Sequence, residues 1–91
     1  MKIVWPKSAL AQLKSVYPYI ALEDAVAARR VILAIQHAAG RLAEFPELGR
    51  SGTVPGTREL IITKLPYVLV YRVAKDEVQI LRVFHMAMDW Q

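Results

Sequence analysis

Four side chains in the second half of the sequence could do chemistry together: Arg58, Arg72, Arg82 and His85. Guanidinium groups grip phosphates and carboxylates through a fixed fork of N–H donors. Histidine titrates nearest neutral pH and can give or take a proton. The set could therefore neutralise a phosphate and move a proton beside it. It could equally be a cationic surface that meets an acidic partner, with His85 an ordinary strand-end histidine. Arg72 and Arg82 are embedded in apolar runs, Val68-Leu69-Val70-Tyr71 before one and Ile80-Leu81 and Val83-Phe84 around the other. An arginine in mid-strand must face water, pair with a carboxylate or serve a partner. Glu59, on a neighbouring strand candidate, could be that carboxylate. Arg50 and Arg58 flank a loop and could meet an acidic segment of another protein. Trp90 offers a large apolar surface that either folds back on the sheet or anchors a partner.

Other chemistries lack their residues. There is no cysteine, which removes disulfide frameworks and thiolate zinc sites. The two histidines, His37 and His85, are far apart in sequence, and no metal site is expected. No phosphate loop or Gly-rich dinucleotide fingerprint occurs, so no cofactor is expected either. Twelve Lys and Arg against eight Asp and Glu give a net charge of +4, which favours an acidic partner or nucleic acid. The first residues lack the pattern of a signal peptide, and no apolar run approaches the roughly 20 residues of a membrane span. With no cysteine besides, a cytoplasmic protein without membrane contact is the expectation.

The elements that position these residues are legible in the spacing. A chain of 91 residues predicts one domain, residues 1–91. A chain this short buries only roughly 60–65% of its unfolded surface. Its apolar fraction of 55% is rich for that size, and a partner would hide the excess. Lys2 to Trp5 reads as a short strand, and Pro6 suits the first turn of a helix. Ala9, Leu13, Val16 and Ile20 share one helical face, but Pro18 predicts a stop or bend near Tyr17. Asp24 can cap a second helix. Its apolar seam runs through Ala28, Val31, Ile35, Ala38, Leu42 and Phe45, and Pro46 ends it. Residues 46–57 hold two Pro and three Gly and read as a loop. Strands are predicted over Arg58 to Thr63, Tyr67 to Val73 and Glu77 to His85, with a tight turn at Ala74-Lys75-Asp76. The fold class is α+β in the order β-α-α-β-β-β. A helical hairpin covers one face of a small, mostly antiparallel twisted sheet and leaves the other face bare.

In that order and spacing, four segments make the sequence resemble the RelE/ParE toxin superfamily across nearly its whole length. They are Phe45-Pro46-Glu47-Leu48-Gly49-Arg50, Thr57-Arg58-Glu59-Leu60, Pro66-Tyr67-Val68-Leu69-Val70-Tyr71-Arg72-Val73 and Ile80-Leu81-Arg82-Val83-Phe84-His85. The look is nearest to the ParE, or plasmid-stabilisation, branch. The resemblance implies a toxin of a type II toxin–antitoxin pair, held in a hetero-oligomer by a cognate antitoxin protein. ParE toxins inhibit DNA gyrase and are not enzymes themselves. RelE toxins cut messenger RNA on the ribosome. A degenerate, non-toxic antitoxin-binding module is a third possibility, and fold alone does not choose among the three.

Cleavage at an RNA 2′-hydroxyl needs a base, a donor for the leaving oxygen and cations for the phosphate. Arg58, Arg72, Arg82 and His85 would fill those roles. Two departures weigh against it. Val68 stands where the nucleases often carry an arginine before Leu-Val-Tyr, and Met88 stands where many relatives carry a basic residue. A preorganised transition-state contact is worth about 3–4 kcal/mol, so losing two is costly. On the ParE reading, Arg50, Arg58, Arg72, Arg82, His85 and Trp90 are expected to meet the antitoxin or the target.

Overall fold

The computed structural model describes residues 1–87. Trp90 and Met88, singled out above, lie outside the described residues. The first helix, α1, spans Lys7–Ala21, with Pro6 in extended geometry just before it. Ala9, Leu13 and Val16 are its buried stripe, as the spacing predicts. The expected stop near Tyr17 does not occur, because α1 continues through Pro18. The proline ring removes one backbone bond close to the helix end, where bonds are running out anyway. Past it, Ile20 still packs on the core, and its carbonyl accepts the N–H groups of Glu23 and Asp24. Tertiary packing outweighs a single lost bond.

The second helix, α2, spans Ala25–Arg41. Asp24 caps it, accepting a 3.0 Å bond from the Ala27 N–H. Only residues 22–24 join the helices, so they fold back as a hairpin. Ala28, Val31, Ile35 and Ala39 are buried, followed by Leu42. Two corrections follow for the expected seam. Ala39 rather than Ala38 takes the buried place, and Phe45 is 53% exposed because α2 ends at Arg41. The chain then winds into turns, with the Phe45 N–H donating to the Arg41 carbonyl.

Five strands form one sheet: β1 Lys2–Val4, β2 Arg50–Ser51, β3 Arg58–Ile61, β4 Tyr67–Ala74 and β5 Glu77–His85. Their spatial order is β1-β5-β4-β3-β2. β1 lies parallel to β5, and the other pairs are antiparallel. The short β2 lies inside the segment expected to be pure loop. β3 ends at Ile61, before Thr63, because the chain turns at Lys64, whose φ is +64°. The β4–β5 turn carries no glycine; Lys75 takes the left-handed conformation instead, at φ +44°.

Register sets the faces, since directly paired residues share a side of the sheet. Leu60, Leu69 and Val83 form one such row, and Tyr71 with Ile80 another. These residues belong to the core with Leu13, Val16, Val31, Ile35 and Leu42 from the helices. A bulge interrupts the β4–β5 ladder: Val70 pairs with Arg82 but Tyr71 pairs with Ile80, leaving Leu81 as the extra residue. Up to Ile80 the even positions of β5 point inward. After Leu81 the odd ones do. The bulge therefore moves Arg82 off the core side and Val83 onto it.

Candidate partner-binding surface

On the sheet face away from the helices, Arg50, Glu59, Val70 and Arg82 line up across four strands. Ile61, Val68 and Phe84 form the next row, and Val4, Gln79 and Arg72 another. Three arginines thus share this face. Arg50 binds Glu59 through Nη2 at 3.2 Å and Nε at 3.3 Å. The Glu59 carboxylate was expected to answer Arg72 or Arg82; its ion pair is with Arg50, which β2 brings alongside. The Arg50 side chain keeps 61% of its exposure, so this pair is a surface one. Arg72 donates from Nε to Gln79 Oε1 at 2.6 Å, and Gln79 Nε2 donates to Glu77 Oε2 at 2.8 Å. The relay holds the Arg72 guanidinium over the sheet while leaving the residue exposed. The Arg82 guanidinium carbon lies 4.7 Å from the centre of the Phe84 ring. That cation–π contact orients the charge without hiding it.

Arg58 and His85 sit elsewhere. Arg58 pairs with Tyr71, on the helix side of the sheet. Its Nη1 donates to the Gly49 carbonyl at 2.8 Å and the Glu47 carbonyl at 3.5 Å. The buried Tyr71 hydroxyl donates to the Pro46 carbonyl at 2.7 Å and accepts from the Gly49 N–H at 2.9 Å. Together they latch the Pro46–Gly49 turn that delivers Arg50 to β2. The fit is close: a Cβ on Gly49 would lie 2.8 Å from the Tyr71 ring and hydroxyl. Tyr71 escaped the sequence reading. The available signal was a tyrosine amid apolar strand residues, whose hydroxyl must find a partner once buried.

His85 ends β5 beside Tyr67, ring centres 5.1 Å apart and planes at 84°. Its Nδ1 accepts from the Ala87 N–H at 3.1 Å. His85 and Tyr67 line a pocket of about 300 Å³ between α1 and β5, with Gln12, Ser15 and Tyr19 on the helix wall. Burial, and secondarily Tyr19, pushes the Tyr67 hydroxyl above its ordinary pKa of 10.0, so it is a proton donor throughout the neutral range. The four residues considered for phosphate chemistry are thus divided, Arg72 and Arg82 on one face, Arg58 and His85 on the other. Val68, at the position where nucleases often carry a cation, is 2% exposed.

Comparison with known proteins converges on one family. The family model described as "ParE toxin of type II toxin-antitoxin system, parDE" matches residues 3–90. The chain is 42% identical over 86 residues to Toxin RelE2 of Caulobacter vibrioides, covering 94% of this chain and 96% of that protein. It is 40% identical over 89 residues to the Y4kP protein of Sinorhizobium fredii, covering 98% and 92%. Among solved structures, a chain of the chromosomal ParDE TA system from P. aeruginosa superposes with a TM-score of 0.82 at 30% identity, over 93% of this chain and 95% of that one. On fold, on sequence and on the order of its segments, the chain belongs to the ParE toxin family of type II toxin–antitoxin systems.

Proposed function

We propose that the chain arrests bacterial growth by inhibiting DNA gyrase, is not itself an enzyme, and is neutralised by a cognate antitoxin in a cytoplasmic toxin–antitoxin complex. The relatives carry both ParE and RelE names, so names do not separate gyrase inhibition from ribosome-dependent RNA cleavage. The observation that carries the choice is the division of the four phosphate-chemistry candidates between two faces. A phosphoryl transition state needs its base and its cations within hydrogen-bond reach of one group of atoms. Here the Arg58 guanidinium is engaged by backbone carbonyls, and a buried valine stands where a cation would complete the site. The exposed arginines on the face away from the helices instead suit a broad protein surface. The antitoxin is expected to be acidic or amphipathic and encoded beside this gene, as in a plasmid-stabilisation module.

The test is a pair of reactions with purified chain. In a supercoiling reaction, gyrase activity should fall as the chain is added, with relief on adding the neighbouring gene's product. In a translated-message reaction, primer extension should show no codon-positioned cuts. Undiminished supercoiling at saturating chain, together with such cuts, would establish the nuclease reading in its place. Undiminished supercoiling, no cuts and harmless expression would leave a non-toxic antitoxin-binding module.

A further inference from the structure

We infer that the pocket between α1 and β5 is a binding site for a small aromatic carboxylate, with the ring held among the aromatic side chains of the wall and the carboxylate taken by the Tyr67 hydroxyl. Such a site would exist whichever target the chain acts on. The decisive group is Tyr67. The residue is 4% exposed, yet its hydroxyl makes no hydrogen bond to any other described residue. A buried tyrosine hydroxyl ordinarily finds a protein partner, and that of Tyr71 finds two. Nor is the Tyr67 oxygen sealed away: among the described residues, no side-chain oxygen or nitrogen is both fully enclosed and unmet. Tyr67 lines the pocket, so the pocket is where its hydroxyl meets water or a ligand.

The neighbouring polar groups of the wall are donors too. The Gln12 side-chain carbonyl accepts from the Val83 N–H at 2.9 Å, which fixes the amide and leaves its NH2 group as a donor. His85 Nδ1 accepts from the Ala87 N–H at 3.1 Å, so the neutral ring carries its proton on Nε2 and offers a donor there. Protonation of that ring would add a positive charge. The Tyr67 hydroxyl keeps its proton through the neutral range, because burial resists the phenolate. The Ser15 hydroxyl adds no donor, since its hydrogen is spent on the Gln12 backbone carbonyl at 2.7 Å. No residue of the lining is acidic. α1, which forms one wall, contains Lys7 and Lys14 and no Asp or Glu. Phe84, also in the lining, carries the Arg82 guanidinium 4.7 Å from its ring centre. Donors with no carboxylate among them select an acceptor, and the surrounding charge favours a negative one.

Apolar surface and size select the rest of the ligand. Tyr19, Tyr67 and Phe84 bring three aromatic side chains to the pocket, with Val16 and Val83 beside them. The volume of about 300 Å³ is at the small end of ligand sites. A flat ring fills such a space through stacked or edge contacts with the aromatic walls. A neutral molecule of the same shape would displace the water on Tyr67 without supplying an equal acceptor, and would lose affinity for it. A carboxylate without a ring would leave the aromatic walls wet. Ring and charge are therefore both required.

The experiment titrates benzoate into the whole isotope-labelled chain and follows it by NMR, with benzamide and acetate as controls. Shifts should concentrate at the amides of Val83 and His85 and at the Gln12 side-chain NH2 group, and benzoate should bind about tenfold or more tightly than either control. Tyr67→Phe keeps the ring and removes the donor. It should weaken benzoate about tenfold and benzamide much less, a difference that a merely structural loss would not produce. Ser15→Trp, at the exposed rim, should block both ligands by filling the mouth, with helical circular dichroism unchanged. Equal affinity for benzoate and benzamide would overturn the site. So would shifts centred on the exposed arginines of α2, or no saturable shift at millimolar benzoate. The unaltered chain gives each of these three readings, so a folding defect in a variant cannot obscure them.

Discussion

At the scale of single residues, the Tyr71 hydroxyl does two jobs, and its removal should show both. Tyr71→Phe strands the Gly49 N–H and the Pro46 carbonyl near the core. Leaving a buried group unmet costs about 1–3 kcal/mol, so urea unfolding should show a loss in that range. Gly49→Ala should cost a similar amount, about 1–3 kcal/mol, by driving a methyl into the Tyr71 ring. Both would loosen the turn that carries Arg50, so both should also weaken the Arg50–Glu59 pair. Tyr67 gives a pH prediction. Its hydroxyl is pushed up by burial, so the folded state holds the proton more tightly than the unfolded chain. That stabilisation is fully present below the ordinary value of 10.0 and is lost as pH rises through the folded pKa. The native chain should therefore lose stability between neutral pH and pH above 10 more steeply than Tyr67→Phe, measured by thermal melting across that range. Equal slopes would mean that the hydroxyl is solvated.

At the scale of elements, the two helices differ in how their ends are fixed. Asp24→Ala should remove the α2 cap and cost about 1 kcal/mol, read as a lower melting temperature. Pro18→Ala should move stability the other way, restoring one backbone bond in α1, by up to about 1 kcal/mol once the looser unfolded chain is counted. How much of this was legible follows from what each signal reports. The capped start of α2, the spans of β4 and β5 and the loop before β3 were readable because Asp24, the apolar runs and the Pro and Gly cluster act locally. The passage of α1 through Pro18 was not, because the force that carries it is the packing of Ile20 against residues distant in sequence. Nor was β2, whose two residues become a strand only through pairing with Arg58 and Glu59. The bulge at Leu81 was the least visible feature and the most consequential. Alternation along β5 alone would have grouped Arg82 with Val78 and Ile80. The extra residue turns it to the bare face, joining Arg72 and Arg50. The arrangement of the candidate cations was thus half readable: their positions along the strands were legible, but the side of the sheet each takes required the register.

At the scale of the molecule, the arginine-bearing sheet face and the pocket between α1 and β5 are distinct surfaces that meet at Phe84. The arginines project from the face away from the helices, while the pocket is walled by α1 and, apart from Phe84, by residues of the helix side of the sheet. If target binding belongs to the face, then Arg72→Ala combined with Arg82→Ala should abolish growth arrest while changing stability little. Neither arginine is buried, and an exposed cation–π contact or side-chain hydrogen bond contributes only about 0.5–1.5 kcal/mol. His85→Phe, which keeps a ring against Tyr67, should leave growth arrest intact, because His85 is not on that face. The two variants divide the mechanisms by physical location. A nuclease that used His85 as its acid or base would lose about 10²–10⁴-fold in rate from the second change alone. Inducing each variant without its antitoxin and counting surviving colonies reads the outcome directly. Survival of the double arginine variant with continued killing by His85→Phe places the toxic surface on the bare sheet face, whereas loss of killing with His85→Phe alone moves it to the strand end and restores acid–base chemistry as the explanation.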